Sequence, residues 1–414
     1  MTTLYTHIDR LINTRLDHAL LRGEQMMNLP IIENAFLLVE DEQIASYGHM
    51  SELELMVPNL PEVIINKSGA SVLPAWCDSH THLIYAGSRE HEFVYKLKGL
   101  SYAEIAAKGG GILNSAHKLQ EASEDELFLQ AWARLHEISK LGTGAVEIKS
   151  GYGLTVEAEL KMLRVIKKLR SKSSLAIKST FLGAHTFPVA FREDHEGYIR
   201  QIIEEMLPVI AAEQLADYID VFCETGFYNP EEMKRIIEAG KSYGLKPRLH
   251  VNQLNSIGGL QQAIKLEAIS ADHLETMTSK DIQDLAASAT IGTLLPSAAF
   301  FLRMPYQPAR ELIDAGAAIA LASDYNPGSS PTGNMNLIVS LACIQMKMLP
   351  EEAINAATLN GAYAMELEHD LGSITLGKKA NLIFTRPIPS VAYLPYAFGS
   401  NLISEVMING QFIY

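Results

Sequence analysis

Short apolar runs alternate with longer stretches of helical periodicity through the middle of the chain. The strand-like runs cover residues 144–149, 175–181, 218–222, 247–250 and 317–322, and the helical stretches include residues 124–141, 156–172, 230–243 and 279–289. Two helices carry start signals, because Ser123 precedes Glu126 as in a capping box and Asn229 stands before Pro230. Repeated strand–helix units over about 300 residues predict a (β/α)8 barrel or a doubly wound sheet.

The two ends of the chain have a different pattern, typical of short strands joined by turns. Residues 35–48 predict a hairpin with its turn in polar residues 40–43, and residues 379–384 predict a strand. Residues 405–414 predict a second hairpin, with Asn409-Gly410 favouring a type I′ turn. We therefore expect a small β-sandwich assembled from residues 1–68 and 372–414, on either side of a barrel at residues 69–371.

Length, composition and charge narrow the class of protein. A chain of 414 residues suits a barrel of about 250 to 300 residues with a smaller module, and its 48% hydrophobic and 20% charged content indicates a well-packed globular protein. A formal charge of −14 argues against nucleic acid or an anionic membrane as the main partner, whereas a local arginine can still bind a small anionic substrate.

Cysteine use and the apolar runs predict the compartment. Three cysteines, Cys77, Cys223 and Cys343, lie far apart and form no Cys-x-x-Cys pair, which favours a reducing cytoplasm. The N-terminus lacks the pattern of a secretion signal, and no apolar run is long enough to cross a membrane. We expect a soluble intracellular protein.

A His-x-His pair ends the first apolar run of the predicted barrel. In an extended strand His80 and His82 point to one face, so their imidazoles can begin a zinc or iron site that needs further ligands. His185, His250, His273 and Asp324 each follow or end another apolar run. Any one of these residues alone is more often a core or turn residue, but the carboxyl ends of barrel strands meet at one face. Together the six residues predict a metal site there.

Glycine-rich phosphate-binding motifs are missing. No Gly-x-Gly-x-x-Gly follows the first strand, which argues against an NAD-dependent dehydrogenase that would otherwise fit the α/β pattern. The run Gly109-Gly110-Gly111 lacks the Gly-Lys-Ser/Thr ending of a P-loop, and we interpret it as a mobile loop over the site.

Several motifs resemble known enzymes. Residues 73–82, a late strand ending in Ser323-Asp324, and residues 372–384 resemble the amidohydrolase superfamily. Within it the whole chain closely resembles the imidazolonepropionase family, through residues 80–89, 149–154, 181–185, 250–253 and 323–329. The resemblance implies a metal-bearing TIM-type barrel and a small β-sandwich made from both chain ends. It also implies hydrolysis of the ring C–N amide bond of 4-imidazolone-5-propanoate to N-formimidoyl-L-glutamate, the third step of histidine degradation.

The resemblance further implies roles for single residues. His80, His82, His250 and Asp324 would hold one divalent or trivalent ion, zinc or iron, and leave a position for water. Arg89 would bind the propionate carboxylate, while the ring and side chain would be held by Tyr152, His185, Gln253, Asn326, Gly328 and Ser329. Asp324 is the first choice as base, with His273 polarising the carbonyl or moving the proton, and with His185 and Gln253 assisting; an amide orients water but takes no proton.

Other interpretations remain open from the residues alone. Arg89 alone could be a structural arginine, Tyr152 a packed loop aromatic, and Asn326-Pro327-Gly328 a plain β-turn. Lys149 is expected to end a mid-barrel strand, where binuclear relatives carry a carbamylated lysine, and we interpret it as a charge partner in a mononuclear site. The competing functions are a metal-dependent purine or pyrimidine deaminase and a non-catalytic scaffold. A homodimer is the expected assembly.

Overall fold

The structure is a computed structural model that describes residues 2–100 and 111–413. Its strands are β1 Thr2–Ile12, β2 Ile31–Glu40, β3 Gln43–His49, β4 Val63–Asn66, β5 Ser71–Pro74, β6 Trp76–Thr81, β7 Thr143–Lys149, β8 Ala176–Ala184, β9 Tyr218–Cys223, β10 Lys246–Val251, β11 Ser270–His273, β12 Ile291–Leu294, β13 Ile319–Leu321, β14 Leu382–Thr385, β15 Ile403–Ile408 and β16 Gln411–Ile413. They form two sheets, one from the middle of the chain and one from its ends.

The middle of the chain forms a parallel barrel. Strands β6 to β13 pair in sequence order, each parallel to the next. The barrel closes between its last and first strands, where Asp324 N–H donates to the His80 carbonyl at 3.0 Å and His82 N–H donates to the Tyr325 carbonyl at 3.0 Å. This sequential order and closure confirm the predicted TIM-type barrel and exclude a doubly wound sheet. Burial on both faces explains the nearly continuous apolar runs.

Most helices surround the barrel and cover its outer face, whereas the first helix, between β3 and β4, packs against β3. The helices are α1 Leu53–Met56, α2 Glu90–Leu97, α3 Ile112–Glu121, α4 Glu124–Lys140, α5 Val156–Lys172, α6 His195–Arg200, α7 Leu207–Glu213, α8 Pro230–Ser242, α9 Gly259–Lys265, α10 Ser279–Ala286, α11 Pro296–Leu302, α12 Ala309–Asp314, α13 Met335–Met346, α14 Pro350–Ala357, α15 Leu359–Ala364 and α16 Tyr393–Tyr396. Capping boxes at Ser123 and Asn229 confirm the predicted starts of α4 and α8. No helix of the described residues combines the length and apolar character needed to cross a bilayer.

Strands from both chain ends form one mixed sheet, in the order β16-β15-β14-β5-β1-β2-β3, with β4 also paired to β1. The predicted hairpins are confirmed as β2–β3 and β15–β16, and Asn409 and Gly410 have φ of 48° and 72°, as a type I′ turn requires. The sheet has its own apolar cluster, which includes Ile8, Leu37 and Phe384. Both chain ends therefore contribute to one β module, and β5 at residues 71–74, within the span predicted for the barrel, also belongs to its sheet. Of the predicted glycine loop, Gly109 and Gly110 lie outside the described residues, and Gly111 caps α3.

Candidate active site

The barrel brings the predicted polar residues to one end. His80 lies on β6 and His82 directly after it, while His250 lies on β10 and His273 ends β11. Asp324 follows β13, and these five residues are at most 3% exposed. His185 follows β8 and lies beside them, because its ring stacks on that of His82 with centroids 5.3 Å apart. The six residues thus share the carboxyl face of the barrel.

Potential metal ligands lie close together at this face. The ligand atoms of His80, His82 and His250 all lie within 4.8 Å of one another. Asp324 Oδ1 lies 3.5 Å from Nε2 of both His80 and His82. A second group, His80, His273 and Asp324, meets the same 4.8 Å limit, so His273 lies beside the four residues.

Two of the histidines are oriented by buried carboxylates. His80 Nδ1 lies 2.7 Å from Asp272 Oδ2, and His250 Nδ1 lies 2.8 Å from Asp220 Oδ2. Since each carboxylate accepts the Nδ1 hydrogen, Nε2 of both rings carries a lone pair, and neither Nε2 has a hydrogen-bond partner in the described part of the chain. A buried polar atom without a partner is costly, whereas a metal ligand with a carboxylate behind it is a common arrangement. The residues therefore fit a bound zinc or iron ion.

A buried cation supports both carboxylates. Lys149 Nζ lies 2.9 Å from Asp220 Oδ2, 3.0 Å from Glu147 Oε1 and 3.8 Å from Asp272 Oδ2, and the lysine side chain is fully buried. Burial opposes the charged form, but Asp220 and Glu147 raise the pKa of Lys149 above its ordinary value. Lys149 is therefore an ion-paired ammonium, which agrees with its interpretation as a charge partner.

The position of Lys149 in the barrel corrects one expectation. It ends β7, the second of the eight barrel strands rather than a middle one, because the first barrel strand is β6. The expectation that Lys149 ends a mid-barrel strand is therefore wrong.

Burial sets the protonation states of the candidate ligands. It lowers the pKa values of His80, His82 and His250 well below that of free histidine, so all three are neutral near pH 7. Burial raises the pKa of Asp324 to about 6. Burial also opposes the charged form of His273, but Glu275, 3.2 Å from its Nδ1, raises the pKa of that imidazole.

The cavity above these residues contains most of the predicted substrate contacts. It is lined by His82, Tyr152, His185, Phe222, His250, Gln253, His273, Asp324, Asn326 and Ser329. The buried carboxylate of Glu159 accepts hydrogen bonds from the N–H groups of Gly151, Gly153 and Leu154 at 3.0, 2.7 and 3.0 Å. This carboxylate holds the loop that carries Tyr152.

The turn after Asp324 is held by its own asparagine. Asn326 Nδ2 donates to the Asp324 carbonyl at 2.6 Å and to Ser329 Oγ at 2.7 Å, and its Oδ1 accepts from the N–H groups of Gly328 and Ser329, both at 2.8 Å. Ser329 Oγ in turn donates to Asp324 Oδ2 at 3.1 Å. The amide of Asn326 is thus engaged within the turn.

Arg89 lies at the rim of the site and outside the lining of the cavity. Its Nη2 donates to Glu92 Oε2 at 2.5 Å. Its Nη1 packs on Gly328. If Gly328 were replaced by a residue with a side chain, the Cβ atom would lie only 2.4 Å from that nitrogen. Beside it is an apolar pocket lined by Tyr85, Ser88, Glu90, Phe93, Phe301, Pro327 and Pro331. The guanidinium and the turn after Asp324 are therefore in direct contact.

Sequence reasoning missed the charged residues beneath and beside the site: Glu147, Glu159, Asp220, Arg248 and Asp272. Four of them are on strands of the barrel interior, and all are at most 1% exposed. Charged residues inside otherwise apolar strands are rare without a partner, so their presence was the available signal.

Comparison with known proteins shows both near relatives and distant structural neighbours. Residues 71–413 match the model of the amidohydrolase family. The chain is 57% identical to imidazolonepropionase of Flavobacterium johnsoniae and 54% identical to that of Christiangramia forsetii, in each case over 100% of both chains. It is 42% identical to that of Geobacillus sp., over 94% of this chain and 92% of the relative.

Solved structures share the fold at low identity. An adenosine deaminase from Xanthomonas campestris with bound zinc has a TM-score of 0.70 at 16% identity, covering 99% of this chain and 92% of that one. Guanine deaminase of E. coli has a TM-score of 0.71 at 13% identity, covering 100% and 99%.

Proposed function

The chain belongs to the imidazolonepropionase family of the amidohydrolases, and from this membership we propose its reaction. It hydrolyses the ring C–N amide bond of 4-imidazolone-5-propanoate to N-formimidoyl-L-glutamate, the third step of histidine degradation. The observation that carries this function is the 57% identity to the Flavobacterium johnsoniae imidazolonepropionase over the full length of both chains.

His80, His82, His250 and Asp324 are proposed to hold one divalent or trivalent metal ion, zinc or iron. Their converging ligand atoms and the unpartnered Nε2 atoms of His80 and His250 support this set. When bound, such an ion polarises the ring carbonyl and lowers the pKa of a water molecule toward neutrality. Imidazole and carboxylate ligands suit both metals.

Proton transfer is assigned to Asp324, with His273 as its partner. The Asp324 carboxylate is buried with a pKa raised to about 6, so it is ionised at neutral pH and basic enough to accept a proton from the attacking water. His273, with Glu275 behind its Nδ1, would donate to the carbonyl oxygen or carry the proton to the leaving nitrogen. Gln253 lines the same cavity and would orient the water through its amide.

Arg89 is the proposed partner of the propionate carboxylate, because a guanidinium binds a carboxylate through two parallel hydrogen bonds. Tyr152 and His185 would hydrogen-bond the imidazolone ring from their side of the cavity. Asn326, Gly328 and Ser329 would contact the substrate from the turn after Asp324, which Arg89 touches at Gly328.

A purine or pyrimidine deaminase is the competing function, but its support is limited to the fold. The deaminase structures are 16% and 13% identical to this chain. A neutral base offers Arg89 no anionic partner. We further propose a cytoplasmic homodimer whose ligand is this small molecule, in keeping with cysteines that are free thiols.

The test is a product assay with two substrate classes. The purified chain, incubated with 4-imidazolone-5-propanoate, should remove the substrate absorbance and form N-formimidoyl-L-glutamate, identified by mass spectrometry. The same preparation should release no ammonia from adenine, guanine or cytosine. Release of ammonia from a nucleobase without loss of 4-imidazolone-5-propanoate would contradict the proposed reaction. A chain that purifies without metal and acts on neither substrate class would favour a non-catalytic scaffold.

A further inference from the structure

Two cations flank the turn that follows Asp324. Arg89 Nη1 packs against Gly328, where an added Cβ would come within 2.4 Å of it. Lys96, on the same helix α2 that Arg89 precedes, donates from Nζ to the Gly328 carbonyl at 3.3 Å. The two positive charges therefore meet at one residue of the site's rim.

In the described part of the chain, only one carboxylate forms an ion pair with either of these cations. Glu92 lies four residues before Lys96 on α2, a spacing at which glutamate and lysine usually pair. Glu92 instead accepts from Arg89 Nη2 at 2.5 Å and from the Gly111 N–H at 3.0 Å. No carboxylate oxygen of the described residues lies within the 4.0 Å ion-pair distance of Lys96 Nζ, so among these residues the two cations have one positive charge in excess.

The surroundings of Lys96 make this excess charge available to an anion. The side chain is half-buried, and its Nζ also lies 5.8 Å from the centre of the Phe301 ring. Burial and the neighbouring Arg89 lower the pKa of Lys96, whereas Glu92 acts in the opposite direction. An anion bound between Lys96 and Arg89 would compensate a charge that Glu92 leaves unmatched.

We propose that Lys96 is a second cation of the carboxylate subsite and that it contacts the propionate group of the substrate together with Arg89. The inference rests on the proposed function, since it takes its substrate. The planar guanidinium of Arg89 can donate two parallel hydrogen bonds to the carboxylate. The ammonium of Lys96 can donate a further hydrogen bond to a remaining lone pair of the carboxylate oxygens. Recognition of the anion then depends on α2 as well as on the turn after Asp324.

The test separates anion binding from catalysis. The metal-loaded chain is titrated calorimetrically with 3-(imidazol-4-yl)propanoate and with its carboxamide, which keeps the shape and lacks the charge. Lys96→Met should weaken binding of the propanoate about tenfold, the value of one charge-assisted hydrogen bond, and leave binding of the carboxamide unchanged. The same variant should raise KM for 4-imidazolone-5-propanoate by a similar factor without changing kcat, and Lys96→Arg should preserve both values.

Lys98→Met is the matched control, because it removes the same charge from an exposed position at the end of α2. It should bind both probes like the unmodified chain, and Lys96→Gln provides a second neutral variant if Lys96→Met does not fold. Unchanged propanoate affinity in the neutral Lys96 variants, or equal losses for propanoate and carboxamide, would overturn the inference. If the unmodified chain binds the propanoate but hydrolyses no imidazolonepropanoate, the proposed function fails and the binding series still decides the role of Lys96.

Discussion

Replacing Asp272 by asparagine tests whether the carboxylates beneath the site hold the candidate ligands in place. Asp272 Oδ2 lies 2.7 Å from His80 Nδ1, 3.5 Å from Arg248 Nη2 and 3.8 Å from Lys149 Nζ, and the side chain is fully buried. Burial opposes its ionisation, but Arg248 and Lys149 hold the pKa of Asp272 below its ordinary value. The carboxylate is therefore ionised, and the substitution removes a full negative charge facing two cations.

Two losses should follow from Asp272→Asn, and they can be measured separately. Removing one partner from a buried ion-pair network costs about 3 to 5 kcal/mol, so the metal-free chain should lose roughly that free energy of unfolding in urea. The amide no longer fixes the His80 tautomer with a charge, and loss of such an outer-shell partner weakens metal binding about 10- to 100-fold, roughly 1.4 to 2.8 kcal/mol. Competition with a chelator of known affinity measures this second loss.

The control is Asp125→Asn, the same substitution at an exposed ion pair. Asp125 Oδ1 lies 2.6 Å from Lys168 Nζ, and its side chain is 82% exposed. It should change neither metal affinity nor unfolding. If Asp272→Asn binds zinc as tightly as the unmodified chain, the carboxylate does not orient His80 as a ligand, and the supporting role of the network beneath the site is refuted.

Three further predictions follow from the same geometry. Arg89→Ala should raise KM for the propionate-bearing substrate about 10- to 100-fold, and an unchanged KM in steady-state assays would show that Arg89 is not the carboxylate partner. Asp324→Asn should lose tight metal binding, measured by metal analysis after dialysis, and lower kcat about 10²- to 10⁴-fold; retained turnover would point to His273 as the base. Because burial raises the pKa of Asp324 to about 6, its carboxylate takes up a proton as the pH falls through that value, so zinc affinity should decline below about pH 6 and level off above it. A chelator-competition series showing affinity independent of pH across that value would contradict a ligand role for Asp324.

Local sequence signals were sufficient to predict much of the fold. The capping boxes at Ser123 and Asn229 and the turn at Asn409-Gly410 act through neighbouring backbone groups, so the sequence contains all of their determinants. The alternation of buried strands and amphipathic helices predicted an α/β architecture and left a (β/α)8 barrel and a doubly wound sheet as the two alternatives. The convergence of the histidines followed from one rule, that strand ends of a barrel meet at one face.

These local signals could not predict contacts between residues that are far apart in the sequence. His80 and Asp272 are 192 residues apart, and their contact depends on which strands are neighbours across the barrel. Lys149 was expected at the end of a mid-barrel strand, whereas it ends β7, the second strand of the barrel. The pairing of Arg89 with Glu92 is a choice between side-chain conformations, since Lys96, four residues after Glu92 on the same helix, was an alternative partner.

The number of catalytic metal ions per chain can be measured by stepwise addition of zinc or ferrous iron to the metal-free chain, with hydrolysis of 4-imidazolone-5-propanoate followed by absorbance. Activity should rise linearly with added metal and stop rising at one equivalent per chain. Full activity without metal, or activity that requires two equivalents, would contradict a single site formed by His80, His82, His250 and Asp324.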